Sequence, residues 1–138
     1  MSGFPTALSP QRTLTLETWI KVDSFDNAWM PVVQKATGSG VGTRSYSLWV
    51  NSSGYLHFTS SDGVIQDYVN TPAGSIKAGQ WVHFAGVMDR NSGRLEVYLD
   101  GELVGWGAAR TTNAIAHTGA LLFGRTFESS ASYAPFNG

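Results

Sequence analysis

Residues 14–21, Leu-Thr-Leu-Glu-Thr-Trp-Ile-Lys, alternate with a period of two. Leu14, Leu16, Thr18 and Ile20 fall on one side, and Thr15, Glu17, Trp19 and Lys21 on the other. That is the pattern of a strand with one face on a core. Residues 45–50, 55–59, 81–88, 94–99 and 102–107 read as further strands, as do the shorter runs 32–35, 64–69 and 119–125. The joints carry turn residues. Asn51-Ser52-Ser53-Gly54 predicts a hairpin with glycine in its turn, and Asp100-Gly101 predicts a two-residue hairpin loop with positive φ at Gly101. Residues 23–31 and 36–43 read as loops. No window keeps a helical period, no segment repeats, and turn signals recur about every ten residues, the spacing of a sandwich or barrel. The expectation is an all-β, antiparallel two-sheet β-sandwich. Alternation assigns much of its core to Leu14, Leu16, Ile20, Leu48, Val50, Leu56, Phe58, Phe84, Val87, Val97, Leu99 and Leu122.

Composition narrows the function classes. A chain of 138 residues with 42% hydrophobic positions suits one domain over residues 1–138, with 1–13 an extended N-terminal segment and 126–138 a C-terminal tail. Only 14% of residues are charged, against about 25% in an average soluble domain. The net charge is −1, and three lysines and six arginines are scattered along the chain. With no basic stripe to neutralise phosphates, nucleic acid is not an expected partner. No apolar run reaches bilayer length, so no membrane insertion is expected. Met1-Ser2-Gly3-Phe4-Pro5 has neither the basic start nor the apolar stretch of a signal peptide. The absence of cysteine removes disulfides, thiol nucleophiles and thiolate metal sites, and leaves the redox compartment open.

The order of the strand motifs resembles one family. Residues 14–21 resemble the "tleaWvk" strand of laminin-G-like jelly rolls, and Pro31-Val-Val-Gln-Lys35 the "ivsK" strand after it. Gly79-Gln-Trp-Val-His-Phe-Ala-Gly-Val-Met-Asp89 resembles "gqWhhvA.t.d", and residues 95–104 resemble the "l.lYvDG.lv" hairpin. Leu122-Phe123-Gly124 resembles "l.iG". The resemblance runs from about Leu14 to Gly138 and implies a concanavalin A-like jelly roll akin to lectins, pentraxins and laminin modules. It further implies binding of glycans, proteins or calcium-bridged partners, in adhesion or recognition, by larger extracellular or cell-surface proteins. Family members usually add a first strand like "alsFdGvdDyv" and a last strand like "F.G.idevriyn", which are neighbours. Here the motifs begin after the first and stop at Phe136-Asn137-Gly138, where the last would start. The resulting expectation is an incomplete sheet edge. Either tail of this chain (residues 4–8 or 133–136), or another chain including a second copy, would fill it.

Three chemistries are candidates. Glycoside cleavage needs two carboxylates facing one groove. The Glu-x-Asp-x-x-Glu pattern is missing, Glu17 has Trp19 where a second acid would sit, and Asp100 is committed to a turn. His57, His83 and His117 lack metal-ligand spacing, so no enzyme is expected. Glycan binding fits better. Trp49, Tyr55, His57 and Tyr98 are out of phase with the apolar faces of their strands, and aromatic rings stack on the C–H faces of sugars. Glu17, Gln66 or Asn51 would supply hydrogen bonds. Trp19 and Trp81 are family positions and are assigned to packing; Trp106 is open to either role. Calcium, the cofactor the family suggests, would take Asp23, Asp26 and Asn27 as oxygen ligands, although Asp and Asn are also ordinary turn residues. The reading is a non-catalytic binding module for carbohydrate or another cell-surface ligand. The alternatives are a protein-interaction or assembly domain without a small ligand, and a relic of a glycoside hydrolase.

Overall fold

A computed structural model describes residues 10, 12–40, 43–110 and 119–138; residues 4–8 and His117 lie outside that range. The described residues form nine strands: β1 (Thr13–Lys21), β2 (Trp29–Ala36), β3 (Arg44–Asn51), β4 (Tyr55–Ser61), β5 (Gln66–Asn70), β6 (Trp81–Asp89), β7 (Arg94–Leu99), β8 (Glu102–Ala108) and β9 (Ala120–Phe123). One sheet has the order β1-β6-β7-β8 and the other β5-β4-β3-β2-β9. Every pairing is antiparallel. The fold is the expected all-β two-sheet sandwich.

The core lies between the sheets. Leu48, Val50, Leu56 and Phe58 from one side meet Phe84, Met88, Leu95 and Val97 from the other, all buried. Phe58 and Phe84 meet edge to face with centroids 6.1 Å apart. Gly86 makes room for them, since a Cβ there would come within 3.0 Å of both rings. Leu14 and Leu16 are partly buried against this core, and Ile20 and Leu99 complete it.

Two core expectations need correction. Val87 pairs with Thr15 and Glu96, on the outer side of β6, and the buried Met88 takes the inward position. In β9, Leu121 packs on the core. Leu122 lies opposite Gln34 in β2 and faces outward. In β6 Phe84 sets the inward phase and Val87, three residues on, is out of phase with it; in β9 the phase is off by one residue, which moves a side chain to the opposite face.

Two strand boundaries also shifted, each for a local reason. β5 begins at Gln66 because Asp62 Oδ1 accepts hydrogen bonds from the backbone N–H of Val64 (2.9 Å) and Ile65 (2.7 Å), which fixes that stretch as a turn. β2 begins at Trp29, earlier than read, and runs through Pro31 with a register shift between Pro31 and Val33. An irregularity of that kind is where a strand tolerates a residue without N–H. The β7–β8 turn is as read: Asp100 and Gly101 have φ of 50° and 87°.

Beyond β9 the chain turns back. Gly124 N–H donates to Val32 O, Trp29 N–H to Ser132 O, and Ala134 N–H to Trp29 O. Trp29 and Tyr133 form a parallel bridge. The segment ends with Asp23 N–H donating to Asn137 O (2.9 Å). Residues 124–138 thus run beside the start of β2 and reach the β1–β2 loop.

Candidate ligand-binding site

Residues directly opposite one another in a sheet share a face. On the outer face of the five-stranded sheet the register makes three rows: Trp29, Asn51 and Tyr55; Pro31, Trp49, His57 and Asn70; and Gln34, Ser47, Thr59 and Tyr68. Three sequence candidates, Trp49, Tyr55 and His57, therefore converge on one surface. Two of them, Trp49 and His57, line a cleft of about 210 Å³ together with Trp29, Arg44, Gln66 and Tyr133. Pockets that enclose a drug-sized ligand span roughly 300–1,000 Å³. This cleft therefore suits one ring of a ligand whose remainder stays in solvent.

Each wall has a cause. Trp49 is only 2% exposed. Tyr133 covers it at 5.5 Å between centroids, and the Arg44 guanidinium lies 5.5 Å from its ring centre. Its indole N–H donates to Ser47 Oγ (2.7 Å), which shares a hydrogen bond with Thr59 Oγ1 (2.7 Å). Trp49 is thus a fixed, satisfied wall and not the open platform expected from its phase. Trp29 is the less buried ring, with His57 at 5.1 Å and Tyr55 edge-on at 6.0 Å. Tyr55 buttresses Trp29 and does not line the cleft itself.

His57 is held on both sides. Its Nδ1 lies 2.6 Å from Asn70 Oδ1 and its Nε2 3.4 Å from Gln66 Nε2. Those partners suit a neutral ring that donates from Nδ1 and accepts at Nε2. Burial pushes its pKa below 6.5, outweighing the Asn70 hydrogen bond, and Arg44 pushes the same way.

Arg44 is tethered too. Its Nη2 pairs with Glu128 Oε1 at 3.0 Å, and its Nε donates to Gly40 O at 3.4 Å. Glu128 Oε1 also accepts the Gly40 N–H (2.9 Å). The surface can therefore offer flat rings beside amide, imidazole and hydroxyl groups.

Tyr98 and Glu17 are not part of this site. They flank Ala85 on the outer face of the four-stranded sheet, with the core between them and the cleft. Tyr98 Oη donates to Glu96 Oε2 (2.8 Å), which raises its pKa. Trp19 and Trp81, assigned to packing, are 62% and 65% exposed on that same face. Sequence reading missed Trp29, Arg44 and Tyr133 as cleft residues. Pro31 hid the outward phase of Trp29, while Arg44 and Tyr133 sit where no alternation reports a face. Asn51, offered as a hydrogen-bonding group, is turned to Ala28 O and the N–H of Ser53.

Asp23, Asp26 and Asn27 sit together in the β1–β2 loop, but the acids have other partners. Asp23 pairs with Lys21 at 3.0 Å. Asp26 accepts from Ser24 Oγ (2.6 Å) and Asn137 Nδ2 (2.7 Å), and both bonds lower its pKa. Calcium needs six to eight oxygens. Among the described residues no three His, Asp or Glu side chains cluster as a metal site, and the amide facing Asp26 is a donor. In this arrangement the loop clamps the C-terminal segment through Asp26 and Asn137.

A family model described as the concanavalin A-like lectin/glucanases superfamily, of laminin G type, matches residues 3–138. The chain belongs to that superfamily. No curated protein matches its sequence. Among solved structures it is similar to the Ruminococcus gnavus IT-sialidase CBM40 bound to α2,3-sialyllactose, with TM-score 0.75, 16% identity, 96% of this chain and 74% of that one covered. It is also similar to domains LG4-5 of the mouse laminin α1 chain, with TM-score 0.65, 15% identity, 93% of this chain and 33% of that one covered. A heptameric SAP-like pentraxin from Limulus polyphemus has TM-score 0.53, 22% identity, and coverage of 83% and 53%. These likenesses show the fold. Among the described residues no helix is long and apolar enough to cross a membrane.

Proposed function

We propose that the chain is a non-catalytic carbohydrate-binding module that seats one sugar ring of a glycan in the cleft on the five-stranded sheet. The observation that carries this reading is the cleft itself. Trp29 and Tyr133 offer ring faces, and His57, Gln66 and Arg44 supply polar groups within the same 210 Å³. A fold relative carries sialyllactose, which supports the class of ligand. We further propose recognition without calcium, since the carboxylates of the β1–β2 loop are engaged. Such a module works outside the cell or at its surface within a larger protein, the setting in which glycans are displayed.

A glycan array run with and without a chelator tests this. Binding to a defined glycan set is expected, unchanged by chelator and lost in Trp29→Ala. Absence of any glycan above background, or full binding by Trp29→Ala, overturns the reading.

A second reading has its own observation. Trp19, Trp81 and Trp106 stand exposed on the opposite face, and exposed tryptophans are frequent anchors of protein interfaces. An array without glycan hits would favour a protein ligand on that face.

A further inference from the structure

The polar groups around the cleft carry almost no free charge, and this bears on which glycans fit. Arg44 is the cationic side chain among the residues lining it. Its charge is met at 3.0 Å by Glu128, and each side chain is only 12% exposed. Glu128 is held from several directions. Its Oε1 accepts from Arg44 and from the Gly40 N–H, and its own N–H donates to Thr126 Oγ1 at 3.1 Å. Thr126 in turn donates to the buried Gln34. Swinging the carboxylate aside would break its bonds to Arg44 and to the Gly40 N–H and strand two partly buried charges. The lining imidazole, His57, is neutral above pH 6.5 because burial disfavours its charged form. Arg125 and Glu128 line the neighbouring cavity that shares Tyr133, not this one.

An acidic sugar entering the cleft would meet a guanidinium already paired and a carboxylate already in place. Its own carboxylate would have to compete with Glu128 for the Arg44 guanidinium, whose attraction the Glu128 charge already offsets from outside the cleft lining. A neutral sugar faces no such competition and can still use Gln66, His57 and the free edge of Arg44.

We infer that the Arg44–Glu128 pair selects neutral sugars over acidic ones in this cleft. The inference rests on the carbohydrate reading above and deepens it. Glu128 acts through Arg44 and is a positioning residue for specificity.

The test uses matched glycan pairs: neutral oligosaccharides on an array together with the same oligosaccharides bearing sialic or uronic acid, lactose and α2,3-sialyllactose among them. Wild type should bind the neutral member of its preferred pair at least about tenfold better. Glu128→Gln keeps the shape and leaves the guanidinium uncompensated. It should raise the acidic-to-neutral ratio by about tenfold or more, the effect of one new charge-assisted contact. The double variant Arg44→Gln/Glu128→Gln removes both charges and should return the ratio to the wild-type side. If Glu128→Gln does not fold, the wild-type ratio and the double variant carry the test. A wild type that prefers acidic members overturns this inference alone, as does a folded Glu128→Gln with an unchanged ratio. Absence of binding to every glycan overturns the carbohydrate reading and this inference with it.

Discussion

Both sheets turn tryptophans outward, yet Trp49 on the five-stranded sheet is 2% exposed while Trp19, Trp81 and Trp106 on the four-stranded sheet are 62–65% exposed. The strands obey the same alternation but not the same position: Trp49 is on β3, the central strand of its sheet, while Trp19 and Trp106 are on the edge strands β1 and β8. The other difference is residues 124–138, which cross beside β2 and set Tyr133 over Trp49. One face gains a wall and becomes a cleft, and the other stays open. Its polar groups pair within the plane, as Arg94 does with Glu96 at 2.9 Å and over the Trp106 ring at 5.0 Å. An aromatic pattern alone thus marks two surfaces equally, and a covering segment decides which of them can enclose a ligand.

The sharpest way to break this contrast is to truncate one tryptophan on each face. Trp49→Ala should lower stability by about 3 kcal/mol or more, since it empties a covered site and strips Ser47 of its indole partner. Glycan binding should be lost with it. A melting temperature close to wild type would mean that the C-terminal segment does not cover Trp49, and the two faces would then be alike.

On the open face the same substitution should be nearly silent. Trp19→Ala and Trp106→Ala should each change stability by no more than about 0.5 kcal/mol and leave the glycan array pattern intact. Loss of glycan binding in either variant would move the site to the four-stranded sheet and restore Tyr98 and Glu17 as its candidates. Loss of a protein partner with glycan binding intact would instead give each face its own ligand.

Particular residues show how much of this could be read beforehand. The strands were legible because Leu48, Val50, Leu56, Phe58 and Phe84 alternate with polar neighbours, and the Asp100-Gly101 turn because both residues accept positive φ. Two cleft residues, Trp49 and His57, followed from the same phase, and Gln66 from its hydrogen-bonding chemistry. The rest depends on long-range contacts. Arg44 and Glu128 are 84 positions apart, and nothing local in either neighbourhood announces the pair. Tyr98 has the same outward phase on the other sheet, because alternation reports inside against outside and not which outside. The bond from Asn137 to Asp26 in the β1–β2 loop likewise spans 111 positions, and nothing local to the loop announces it.

The smallest expected effect compares two histidines, one on each face. His57 lies in the cleft with its pKa pushed below 6.5, chiefly by burial. Its unfolded form takes up a proton at higher pH than its folded form does, so acidification favours unfolding. The stability this neutral ring contributes is complete above about pH 6.5 and is lost as the pH falls through the lowered folded value. Protonation also turns Nε2 from an acceptor into a donor aimed at the Gln66 amide, and adds a charge near Arg44. Melting temperature and glycan affinity should therefore both be flat above pH 7 and decline together as the pH falls below about 6.5. His57→Gln should flatten that decline. His83→Gln, beside the exposed Trp19 on the open face at 5.2 Å, should leave it in place. If His83→Gln removes the decline and His57→Gln does not, the pH response belongs to the open face, and the neutral ring has no part in holding the cleft.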